Sequence, residues 1–81
     1  MSSTKLVREA AALREQGHFQ QAIELVEARI AECDDEIARL LALLQAFYAA
    51  IEANDEGKAA ELAKLIAAED PDVPSIQKYL S

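Results

Sequence analysis

An all-α fold, a small antiparallel helical bundle or hairpin array, is predicted by three features of the sequence. Alanine is the commonest residue and β-branched residues are few, so summed helix propensity is high almost everywhere. Only two glycines and two prolines are present, and they stand where helices would have to stop or restart. Between them, apolar residues recur at three- and four-residue steps. With 81 residues the chain makes a single domain, 1–81, near the lower limit of what a hydrophobic core holds together unaided. Surface from a partner would help such a chain.

Met1 to Ser3 read as frayed, with Ser3 or Thr4 capping a first helix over 4–16 that carries Leu6, Val7, Ala10 and Leu13 on one side. Gly17 ends it, because glycine tolerates the left-handed backbone of a helix C-terminus, and Gly17-His18-Phe19 makes the short connection of a helical hairpin. From Gln20 the residues Ile23, Val26, Ile30, Cys33, Ile37, Leu40, Leu44, Phe47 and Ile51 follow alternating three- and four-residue steps without a slip. No Gly or Pro lies between His18 and Glu56. This register predicts one long central helix over about 20–53. The rival reading is a break at Cys33-Asp34-Asp35-Glu36, where Asp34 or Asp35 would cap a new helix whose dipole favours acids in its first turn.

Asn54-Asp55-Glu56-Gly57 is a stop and restart, followed by a helix over 57–69 with Ala59, Leu62, Ala63, Leu65 and Ile66 on one side. Pro71 forbids its continuation, so 70–74 is a loop. A short C-terminal helix over 75–80, with Ile76, Tyr79 and Leu80 apolar, is expected to lie as a lid on the open end.

Residues 6–34 resemble a tetratricopeptide repeat. Leu6, Ala10, Leu13, Gly17, Phe19, Ala22 and Val26 stand where that helical hairpin wants its small and apolar residues, while Glu9, Arg29 and Asp34 depart from it. The resemblance implies protein or peptide binding and nothing more specific.

The composition bounds function further. A net charge of −7, with the eight basic residues scattered among acids, argues against direct nucleic-acid or anionic-membrane binding, since both need clustered Lys and Arg. One cysteine forms no internal disulfide, and the first residues lack the apolar run of a signal peptide, so a reduced cytoplasmic setting is expected. Catalytic, metal-binding and cofactor-binding residues are not evident. His18 falls in a turn, Cys33 falls on the apolar stripe, and the acids at 32–36 lack the alternating ligands and sharp-bend glycine of a calcium loop.

The stretch Leu40 to Ile51 is uncharged on every face. One neighbouring helix would cover Leu40, Leu44, Phe47 and Ile51, leaving Leu41, Leu43 and Tyr48, with Tyr79 and Leu80 of the tail, as the expected protein-binding residues. The function expected is a small acidic interaction module that works through an apolar helical face, such as an adaptor, chaperone-like subunit or inhibitor. The alternative is an acidic mimic of nucleic acid that occupies a basic site on another protein. The partner is unidentified, and a homodimer with Leu43 and Tyr48 near its axis is also expected.

Overall fold

The computed structural model describes residues 3–80 and contains helices and turns, with no strand among the described residues. Four α-helices, α1 (Ser3–Glu15), α2 (Phe19–Arg29), α3 (Glu36–Glu52) and α4 (Glu56–Glu69), are followed by a 3-10 helix at Pro74–Tyr79. The frayed start expected at Met1 and Ser2 lies outside the described residues. Ser3 and Thr4, expected as caps, are already helical.

Local chemistry sets each boundary. At the end of α1 the amide of His18 donates to the Leu13 carbonyl at 2.8 Å and that of Gly17 to Arg14 at 3.0 Å. This doubly bonded helix terminus needs a left-handed residue between the two, and Gly17 supplies it at φ +84°. A Cβ at Gly17 would meet nothing within 4 Å, so Gly17→Ala tests backbone strain alone. It should cost about 1–2 kcal/mol in chemical denaturation, with the helical spectrum unchanged.

The continuous helix expected over 20–53 does not form. After α2 the chain tightens into a 3-10 turn at Ile30–Glu32, and Cys33 then becomes extended at φ −76°, ψ 121°. Asp35, also extended, accepts the Ile37 amide on its side chain at 3.1 Å and opens α3. Short acceptor side chains compete with the helical ladder, so this cap prevails over a register that would have allowed an unbroken rod. The freed carbonyl of Cys33 is taken by Arg39 Nη2 at 2.7 Å. Asp35→Ala should therefore lower stability by about 1 kcal/mol, read as a melting shift of roughly 4–8 °C. Asp35→Asn should retain most of it, since Asn caps equally well.

The α3 to α4 connection repeats the logic of the first one. Asp55 donates its amide to Ala50 at 2.9 Å and Asn54 donates to Ile51 at 3.0 Å, with Asn54 left-handed at φ 60°. Asp55 then accepts the Lys58 amide at 3.1 Å as the cap of α4, which starts one residue earlier than expected. Beyond α4, Gln77 donates to the carbonyls of Pro71 and Val73, closing the proline loop.

α3 is the central element, packed against α1, α2 and α4. Its buried side is formed by Ala38, Ala42, Ala46, Ala49 and Ala50, with Leu43 and Phe47 at the margin. Small side chains let three neighbouring helices approach a single axis closely, and dense interiors favour that solution. Phe47 is fully buried and receives the Tyr79 ring edge-on at 5.5 Å between centroids. Ile76 is also fully buried, so the C-terminal segment does close the bundle.

Candidate functional site

Among the described residues, no group of three or more His, Cys, Asp or Glu side chains converges as a metal site. His18 is exposed in its turn, as expected, and Cys33 is buried. A shallow cleft of about 240 Å³ lies between the Ile30–Glu32 turn, α3 and α4. Its lining is mostly aliphatic, from Ile30, Ala31, Leu43, Leu65 and Ala68, and it includes the Arg39–Glu69 ion pair at 3.5 Å.

The more informative surface is the outer side of α3. A helix surrounded on one side by three others has one side left over, and here that side is apolar. Ile37 is 69 % exposed and Leu41 44 % exposed, while Leu44 and Tyr48 continue the same line half-buried. These four stand at i, i+4, i+7 and i+11, one face of a helix. Leu40 and Ile51 flank them, also half-buried.

The C-terminal end of this face is held in place. Arg14 reaches from α1 to Gln45 at 3.0 Å and Glu52 at 3.1 Å, with its guanidinium 5.6 Å from the centre of the Tyr48 ring. The Tyr48 hydroxyl pairs with Ser75 Oγ at 3.0 Å, and the Tyr79 hydroxyl donates to Glu56 at 3.0 Å. One edge of the face is thus bounded by α1, and Tyr48 is tethered to the C-terminal 3-10 helix.

Of the expected binding residues, Leu41 and Leu80 are exposed, and Tyr48 and Tyr79 are half-buried. Leu43 is corrected: it is only 4 % exposed and belongs to the core, because α3 buries its alanine side and carries Leu43 in with it. The homodimer axis expected there loses one of its two contact residues. Ile37, which the apolar periodicity places on the core stripe of a continuous helix, is instead exposed. Its position just inside the Asp35 cap is the signal that could have moved it outward. Leu65, expected on the apolar side of α4, is 51 % exposed at the cleft.

Charge is distributed unevenly around this face. Asp34, Asp35 and Glu36 crowd the N-terminal end of α3, and Glu52, Asp55 and Glu56 lie at its C-terminal end, all exposed. Arg39 on α3 and Arg14, which reaches α3 from α1, are already engaged with Glu69 and Glu52. Elsewhere Lys58 bridges Glu27 at 2.8 Å and Glu61 at 3.2 Å. Hydrogen bonds to those carboxylates raise the Lys58 pKa above the usual lysine value. A raised lysine pKa contributes stability that is complete below the unfolded value and fades only as pH rises through the folded one, so this link is insensitive to pH near neutrality.

Compared with known protein families, curated proteins and solved structures, the chain matches none. No helix among the described residues is long and apolar enough to cross a membrane.

Proposed function

We propose that this protein is a small acidic interaction module that binds another protein through the outer face of α3. The observation that carries the reading is the pair Ile37 and Leu41, large aliphatic side chains on successive turns of α3 and both exposed. Single exposed leucines are ordinary on protein surfaces, but a continuous line of them on one helix marks a contact. The resemblance of residues 6–34 to a tetratricopeptide repeat implies the same class of activity and forms part of the proposal, as does a cytoplasmic setting in which Cys33 stays reduced. The nucleic-acid mimic is the weaker alternative. It would have to rest on the carboxylates outside ion pairs, such as Asp34, Asp35 and Glu36, because Glu9, Glu27, Glu32, Glu52, Glu61 and Glu69 are ion-paired within the chain.

A photo-reactive amino acid placed at position 41 tests the proposal in cells of the native host. A discrete protein adduct is expected from position 41 and not from position 24, on the exposed side of α2. Ile37→Ser should remove that adduct while changing folding stability by no more than about 0.5 kcal/mol, the usual range for a surface substitution. Equal labelling from both positions, or none from 41, would overturn it.

A further inference from the structure

We infer that the occupant of the α3 face is an amphipathic helix of another protein, with an apolar ridge bracketed at both ends by Lys or Arg. The inference rests on the interaction reading above and adds the chemistry of the partner.

The shape of the face comes first. From Ile37 to Tyr48 the apolar line covers eleven helical steps, about 16 Å at 1.5 Å per residue. A straight ridge of that length, with side chains one turn apart, packs against a second helix ridge into groove, the partner presenting its own anchors at i, i+3 or i+4, and i+7. The Tyr48 ring lies 5.6 Å from the Arg14 guanidinium and its hydroxyl pairs with Ser75, so one end of the ridge already has polar contacts that hold its side chain in place. Such preorganisation reduces the entropy lost on association.

Charge then selects the occupant. A second copy of this chain could place its own α3 across the face in either of two directions. Antiparallel, the Asp34-Asp35-Glu36 end of one copy would meet the Asp55 and Glu56 end of the other. Parallel, each acidic end would meet its own duplicate. Arg14 and Arg39 cannot relieve this without giving up Glu52, Glu69 and the Cys33 carbonyl. Each copy also brings a net charge of −7. Like charges placed opposite one another suppress a partner, whereas opposite charges accelerate encounter and fix register. A helix with cations beyond both ends of its ridge answers the acidic ends and leaves the apolar line to carry the contact.

Three synthetic helical peptides serve as probes: one with a leucine ridge and lysines at both ends, one with the same ridge and glutamates at both ends, and one with the lysine-flanked composition and a scrambled ridge. Calorimetric titration should show the first binding at least about tenfold more tightly than either control, with the advantage shrinking as salt rises. Amide signals of Ile37, Leu41, Leu44 and Tyr48 should move on titration. The double substitution Asp34→Asn with Glu36→Gln should narrow the gap between lysine- and glutamate-flanked peptides, and Ile37→Ser should weaken binding of both.

Equal binding of the glutamate-flanked peptide, equal binding of the scrambled peptide, or no movement of the α3 signals would overturn the inference. So would light scattering that finds a dimer dissolved by Leu41→Ser, since the occupant would then be a second copy. If position 41 captures a native partner that lacks a basic-flanked amphipathic helix, this inference fails while the interaction reading stands. If position 41 captures nothing, the interaction reading itself fails.

Discussion

Phe47→Ala is expected to lower folding stability by about 3–5 kcal/mol, the range for emptying a buried aromatic site. A domain of this length holds roughly 4–12 kcal/mol in all, at ~0.05–0.15 kcal/mol per residue, so the variant should lie near its unfolding threshold at ambient temperature. Phe47 is fully buried and is also the surface on which Tyr79 rests edge-on. Beyond the lower midpoint in urea, amide hydrogen exchange should therefore accelerate first in the C-terminal 3-10 helix. Phe47→Leu should recover part of the loss, because it refills most of the volume without restoring the ring contact. A Phe47→Ala protein with unchanged midpoint would mean that the cluster does not anchor the tail.

Ala46→Leu is expected to cost about 1–3 kcal/mol or more, although leucine is nearly as good a helix former as alanine and is more hydrophobic. Ala46 has no exposed surface and stands in the middle of the buried alanine side of α3. Added methyl groups there must push a neighbouring helix outward. Leu41→Ala, one face away, should stay within about 0.5–1 kcal/mol, since that side chain is 44 % exposed. Enlarging the small residue thus harms the fold more than trimming the large one. Urea denaturation of the two variants side by side would check the order, and its reversal would place the packed side of α3 elsewhere.

The same inversion explains what the sequence concealed. Gly17, Asn54 and Pro71 are legible as boundaries because each imposes a backbone conformation or removes a hydrogen bond, and such effects act locally. The fold class is legible for the same reason, through residue-by-residue propensity. Which side of α3 faces inward is a tertiary matter. Large aliphatic residues dominate any count of apolar periodicity, so Leu40, Leu44 and Ile51 drew the stripe, whereas close packing of three helices selects Ala42, Ala46 and Ala49. The alanine line was present in the sequence but carried little weight on a hydrophobicity scale.

The break at Cys33 to Asp35 was concealed differently. A step of seven residues from Ile30 to Ile37 preserves helical phase in the letters even where the backbone turns extended, so an unslipped register does not prove an unbroken helix. The candidate face inherits both errors: Leu43 went inward with the alanines, and Ile37, released by the break, went outward.

The three connections at 16–18, 33–35 and 53–55 are three residues each, and this brevity has a kinetic consequence. Adjacent helices along the chain are adjacent in space, and among the extensively packed helix pairs only α1 with α3 skips a neighbour. Little loop entropy has to be lost before the first contacts form, which places the chain among topologies that fold in microseconds to milliseconds. Each hairpin can assemble from its own short loop, and the joining of α1 to α3 is the step that requires both hairpins. Gly17 and Asp35 each shape a turn that brings two helices together, so Gly17→Ala and Asp35→Ala are expected to slow refolding as well as to lower stability.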